Sequence, residues 1–247
     1  MWFGGCDKRV VERRVIWMGF KNGIEMSDAI VMTFDAKDIR VSPEQVARYA
    51  GGSRYRPDDR MAPLIEEVLG WAMTLVVPAF VYAVYDVDGG AETRSDEGRP
   101  VRRAAAVCTL GPDLEAEVKR LNNAGDPVSG LFLDAAGVAL LEALAGRAMT
   151  HLTDAARQEG LYASNRYGPG YCGMPMTDQP LLFAQVDASR IGVRLTESGM
   201  MQPVKSLSFW VDWRTAPSEA AGTYKCRRCT LTDCAYRNHA GAGTAHD

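Results

Sequence analysis

Asn165–Cys172 reads N-R-Y-G-P-G-Y-C and gathers an arginine, two glycines around a proline, an aromatic ring and a thiol into one bend. Arg166 offers a planar fork of donors matched to a carboxylate. Gly168 and Gly170 flank Pro169, so the backbone can turn sharply and let a ligand come close. Tyr171 supplies a ring that can sit beside a cation or a base. The set suits a small zwitterionic or cationic ligand better than a phosphate. A phosphate loop needs a row of backbone N–H donors, usually with a lysine behind it, and Pro169 removes one donor.

A second chemical signature lies near the C-terminus. Cys226, Cys229 and Cys234 form C-x2-C-x4-C, flanked by Lys225, Arg227, Arg228 and Arg237 against Asp233. The surrounding positive charge favours thiolates. A tetrahedral zinc or an iron–sulfur cluster needs four ligands, or three with an external one. Cys172 is the fourth candidate, because it directly follows Gly170-Tyr171 and would put a metal beside the first bend. Three readings stay open: a cluster, a zinc, or three reduced thiols without a metal.

Downstream of the bend comes L-T-E-S-G-M-M-Q-P-V-K-S-L-S, from Leu195 to Ser208. The order R-x-G-P-G-Y and then L-T-E-S-x-x-M-x-P-x-x-S-x-S resembles the activation domain of cobalamin-dependent methionine synthase. It is similar above all to standalone proteins of that type found with corrinoid methyltransferase systems. The resemblance covers roughly Asn165–Trp213, with a weaker echo upstream from about Val41. It implies that Arg166, Gly168, Gly170 and Tyr171 contact S-adenosylmethionine (SAM). It also implies an acidic residue and a glycine near Asp134, Gly137 and Glu142, which makes Glu142 a candidate ligand contact beside its plainer reading as a helix-face charge. Glu197 is a candidate for the ammonium or sulfonium; Thr196-Glu197-Ser198 equally reads as a turn that shapes the pocket. The family's further tyrosine contact falls at Val211, so this contact is absent or supplied by another residue.

The elements that must position these groups read as follows. Ala29–Phe34 alternates as a strand. Ser42-Pro43-Glu44-Gln45 starts a helix that ends at Gly51-Gly52. Met61–Val77 carries Leu64, Ile65, Val68, Leu69, Ala72 and Met73 at helical spacing. Phe80–Val87 and Val101–Leu110 read as antiparallel strands joined by a hydrophilic loop. Asp113–Asn122 and Leu131–Glu159 are helical, and Thr177-Asp178-Gln179-Pro180 caps a short helix through Gln185. Asp187–Arg190 turns into a strand over Ile191–Leu195. Lys205–Trp213 alternates Leu207, Phe209, Val211 and Trp213 against Ser206, Ser208 and Asp212, which predicts a strand with one buried face. The predicted fold is α+β, an antiparallel β-sheet flanked by helices, with the ligand loop along a sheet edge or cleft.

The 247 residues, 47% of them hydrophobic and 24% charged, describe an ordinary globular chain. A net charge of −3 argues against general nucleic-acid binding. Val68–Tyr85 is uncharged over 18 residues, but Pro78 interrupts it and Thr74, Tyr82 and Tyr85 dilute it. A helix ending near Val77 followed by a strand from Ala79 is the better reading, and a cytoplasmic protein is expected. Residues 1–25 form an extension and a candidate leader, with Met26 an alternative start. Residues 26–223 form the SAM-binding domain, residues 224–237 the cysteine-rich segment, and residues 238–247 a disordered tail.

No Ser/His/Asp or paired-carboxylate arrangement stands out, and none is needed to methylate a nucleophilic cobalt. The resemblance implies a SAM-binding accessory protein that reductively reactivates a separate corrinoid protein or cobalamin-dependent methyltransferase, with an electron from a redox donor. The sequence has no D-x-H-x-x-G cobalamin signature, so the corrinoid must come on a partner. Two alternatives differ in kind: an iron–sulfur electron carrier that ignores SAM, and a non-catalytic docking module.

Overall fold

The computed structural model describes residues 29–87, 98–170 and 174–217. The chain forms an α+β domain built on a five-stranded antiparallel sheet. Its strands are β1 (Ile30–Thr33), β2 (Ala79–Asp86), β3 (Pro100–Thr109), β4 (Tyr162–Ala163) and β7 (Ser206–Arg214), in the spatial order β1-β2-β3-β7-β4. A separate hairpin pairs β5 (Arg194–Leu195) with β6 (Met201–Gln202). The helices are α1 (Pro43–Gly51), α2 (Met61–Leu75), α3 (Asp113–Asn123), α4 (Pro127–Gln158) and α5 (Gln179–Phe183).

Local chemistry accounts for most of these boundaries. Ser42 caps α1, and Gln45 reaches back to the Ser42 N–H, closing a capping box; Pro43 sits in the first turn. The apolar run across Pro78 splits into α2 and β2, as its proline and aromatic content predict. The 32-residue helix α4 begins at Pro127, capped by the Asp126 side chain, several residues before the apolar stripe that marks it in the sequence. The stretch through Thr177 and Gln185 holds only a short α-helix preceded by a 3-10 turn.

Helices α1 to α4 cover one sheet face. There Phe80, Tyr82, Ala104, Ala106, Cys108, Phe209, Val211 and Trp213 meet Leu133, Leu140, Leu144 and Leu152 of α4. Both partners are rich in alanine: Ala104 and Ala106 on β3, and Ala136, Ala139, Ala145 and Ala148 on α4, all 0–3% exposed. Small side chains on both surfaces let a long helix lie close to the strands. Helix α4 is long and apolar enough to cross a membrane by length and composition alone. Its buried residues, however, line this core.

The opposite face is buried as well, which corrects the expectation for β7. Ser206, Ser208, Trp210 and Asp212 are 3–6% exposed, as deeply placed as the apolar residues that alternate with them. Leu182, Val186, Ala188 and Val193 cover this face together with Tyr167 and Met174. Polar strand residues predict a solvent-facing side; here Ser206 donates to Thr109 of β3, and Asp212 accepts from Arg103 of β3 and from the Tyr167 hydroxyl of the edge segment. Leu144 is fully buried against the sheet. Leu144→Ala is expected to lower unfolding stability by about 2–5 kcal/mol without changing the denaturant slope, as measured by urea titration.

Candidate functional site

The Arg166 bend runs beside β7 as an irregular continuation of β4. Ala163 opposes Trp213, whereas Tyr167 opposes Trp210. Four residues on the edge thus advance against three on β7, so one extra residue is accommodated between Ala163 and Tyr167. Such a bulge reverses the alternation of side chains beyond it. Ala163 packs on the helix-covered face. Regular alternation would return Tyr167 to that face and send Arg166 to the other. Instead Tyr167 packs with Trp210 on the far face, and Arg166 turns to the helix side. Its guanidinium lies 5.9 Å above the Phe209 ring and donates to the Glu142 carboxylate of α4.

The pair is partly sheltered, with Arg166 11% and Glu142 39% exposed at the side chain. Three further groups surround it. The buried Cys108 thiol of β3 is pushed up to about 12 by burial, with Arg166 and Glu142 as opposing secondary influences. It is an inert core thiol, as its place in a strand predicts. Tyr49, partly buried near the end of α1, is raised by burial first and then by Glu142, while Arg48 and Arg166 oppose this. Arg166, Glu142, Tyr49 and Arg48 therefore share one electrostatic neighbourhood. Neither Tyr49 nor Arg48 was singled out from the sequence.

The glycines divide in purpose. A Cβ on Gly168 would stand 3.0 Å from the Ser208 carbonyl oxygen and 3.1 Å from the Phe209 Cα. Gly168 is buried, and its small size serves the packing of the bend onto β7. Gly170 is exposed and adopts a φ of 84°, a left-handed conformation that favours glycine. Its N–H donates to the Met174 carbonyl at 3.2 Å. Tyr171 and Cys172 lie outside the described residues.

Glu197 lies elsewhere. It is exposed in the turn between β5 and β6. There Thr196 Oγ1 accepts from the Met200 N–H at 3.1 Å and lies 2.9 Å from Ser198 Oγ. Gly199, at φ 78°, completes the turn. The turn reading of Thr196-Glu197-Ser198 describes this geometry. Below the turn, Lys205 Nζ donates to Asp134 at 2.6 Å, and the Val204 N–H donates to Glu115 at 2.6 Å. These contacts tie the second motif to α3 and α4. Val211 is fully buried, on the helix side of the sheet. Cys226, Cys229 and Cys234 lie outside the described residues. Among the described residues, no group of three or more His, Cys, Asp or Glu could hold a metal ion.

On the far face a partly buried polar row crosses three strands. Tyr85, Arg103 and Asp212 oppose one another in register on β2, β3 and β7. Asp212 Oδ1 accepts from Arg103 Nε and from the Tyr167 hydroxyl, each at 2.7 Å. Gln185 Oε1 accepts from Trp210 Nε1 at 2.7 Å and from the Tyr85 hydroxyl. Burial pushes the Tyr167 phenol well above its ordinary range, the Asp212 carboxylate adds to this, and Arg103 opposes it. Burial likewise pushes Tyr85 up to about 12, against the pull of Arg103.

The arrangement is that of an α+β domain whose arginine is delivered by a bulged sheet edge to a carboxylate on the core helix. The sequence matches the family described as "Vitamin B12 dependent methionine synthase, activation domain" over residues 95–238, and the chain belongs to that family. The matched stretch holds the bend, the second motif and the cysteine-rich segment. The fold is similar to a crystal structure of the MetH reactivation domain bound to AdoHcy. The TM-score is 0.56 at 14% sequence identity, covering 78% of this chain and 80% of that one. No curated protein matches the sequence at a significant level.

Tyr85 and Tyr167 hold their protons more tightly folded than unfolded. The stability they contribute is fully present below about pH 10, the unfolded tyrosine value. It is lost as pH rises from there toward and beyond about 12, the value of Tyr85. An alkaline titration followed at 295 nm is expected to show these two phenols ionising last, together with unfolding. Their ionisation near pH 10 in a chain still folded by circular dichroism would contradict the burial described.

Proposed function

We propose that the chain binds SAM at the Arg166 bend and serves the reductive reactivation of a separate corrinoid protein or cobalamin-dependent methyltransferase. The observation that carries this is the family match spanning the bend, in a chain whose bend presents a guanidinium to a carboxylate.

The donor set fits the ligand. Arg166 already holds a carboxylate, that of Glu142. The methionine carboxylate of SAM would take the same guanidinium face, and Glu142 would then be released toward the ligand's cationic groups. Gly170, exposed at positive φ, would leave room for ligand beside Tyr171. Tyr49 would offer a phenol from α1, on the side where the family's strand tyrosine is replaced by the core residue Val211. Glu197 would have to reach the ligand from the β5–β6 turn.

Bound SAM would supply an electrophilic methyl to a reduced cobalt on the partner, with the electron coming from a redox donor. The residues of this chain bind, orient and exclude water, and they have no proton to move. Cys226, Cys229 and Cys234, with Cys172 as fourth ligand, would hold an iron–sulfur cluster or a zinc; metal analysis with visible absorbance after anaerobic purification distinguishes these from free thiols. We place the protein in the cytoplasm.

Isothermal titration of SAM tests the site. Arg166→Ala is expected to weaken binding by about 10- to 100-fold, the range for losing a charge-assisted hydrogen bond. Unchanged binding by the variant would remove Arg166 from the site. No heat with the unaltered chain would remove SAM.

A further inference from the structure

We propose that Tyr167, the residue between the arginine and the first glycine of the bend, is the positioning residue that holds Arg166 on the helix side of the sheet. The inference rests on the reading of Arg166 as a ligand group and extends it to a residue that touches no ligand.

The bulge leaves room for one alternative. If the extra residue slipped out of the edge, Tyr167 and Arg166 would exchange faces, because side chains alternate along an extended chain. Two ties oppose that slip, one on each side of Arg166. Before it, Ser164 is bound twice to Asp212: its N–H donates to the Asp212 carbonyl at 2.8 Å, and its Oγ accepts from the Asp212 N–H at 3.0 Å. After it, Tyr167 exchanges both backbone hydrogen bonds with Trp210, at 3.0 and 2.7 Å. The Tyr167 hydroxyl then donates to the same Asp212, at 2.7 Å.

Side-chain packing adds direction. The Tyr167 ring lies 6.0 Å from the Trp210 ring, and the Arg103 guanidinium sits 5.6 Å above it. Asp212 is 6% exposed and is itself fixed by Arg103, its cross-strand partner. A slipped edge would expose the phenol or leave its hydroxyl buried without an acceptor, and would take one donor from a buried carboxylate. One aspartate thus secures the edge on both sides of the residue that points away from it. Nothing in the ligand's chemistry calls for a tyrosine at this position; the register of the edge does.

Tyr167→Phe keeps the ring and removes the hydroxyl, and Ser164→Ala removes the side-chain tie on the other side. Both are compared with the unaltered chain, with Arg166→Ala, and with Tyr167→Phe combined with Arg166→Ala. The first readout is the Arg166 Nε–Hε resonance in a 1H–15N spectrum, assigned by its loss in Arg166→Ala. Each single variant is expected to shift or broaden that resonance at a temperature where circular dichroism shows the fold intact. The second is SAM affinity. Tyr167→Phe is expected to weaken it by about tenfold alone and by less than twofold in the Arg166→Ala background, the non-additivity of residues acting through one another.

An Arg166 resonance unmoved in both Tyr167→Phe and Ser164→Ala would overturn the proposal, as would equal affinity losses in the two backgrounds. Absence of SAM binding by the unaltered chain would instead defeat the proposed function, and the resonance would still decide the role of Tyr167.

Discussion

The arrangement of this domain turns on a one-residue step at the edge of its sheet. Between Ala163 and Tyr167 the edge advances one residue further than β7 does. The step costs regular pairing, and its consequence is directional. It sends an arginine over the sheet edge onto the helix-covered face, where Glu142 of α4 meets it above the Phe209 ring. Without the step the same sequence would place a guanidinium among the buried residues that cover the other face. The bend, the polar row beneath it and the long core helix are all arranged around that choice of side.

Much of the scaffold is legible in the sequence because its signals are local. The Ser42-Pro43-Gln45 start of α1, the break at Pro78 and the alternation in β2 and β3 each arise within a few residues. The family resemblance points to Arg166 and Glu142 separately, as ligand contacts; their pairing with each other is not legible, since no local pattern links residues on different elements. The polar side of β7 could not be read this way. Ser206, Ser208 and Asp212 look like solvent-facing residues until the segments that cover them are known. One signal was available: an aspartate flanked by Val211 and Trp213 asks for a cation, and β3 is a long strand that carries Arg103. The bulge itself has no sequence mark, because it exists only in the pairing of two distant segments.

The site differs in form from the one the sequence suggested. The glycines of the bend do not act alike: Gly168 lets the bend approach β7, and Gly170 lets the chain turn. Glu142, a candidate ligand contact, is the present partner of Arg166, so the two belong to one unit rather than to two independent contacts. Glu197 stands apart in a hairpin turn that Glu115, Asp134 and Lys205 tie to the helices through its base. On the proposed function, ligand binding at Arg166 would exchange one carboxylate for another, and the affinity would reflect the difference between them.

The most direct measurement is a crystal structure of the chain grown with SAM. The methionine carboxylate is expected on the Arg166 guanidinium, with Glu142 withdrawn from it and the edge register at Tyr167 unchanged. SAM bound away from Arg166, with the Arg166–Glu142 pair intact, would contradict the site as assigned.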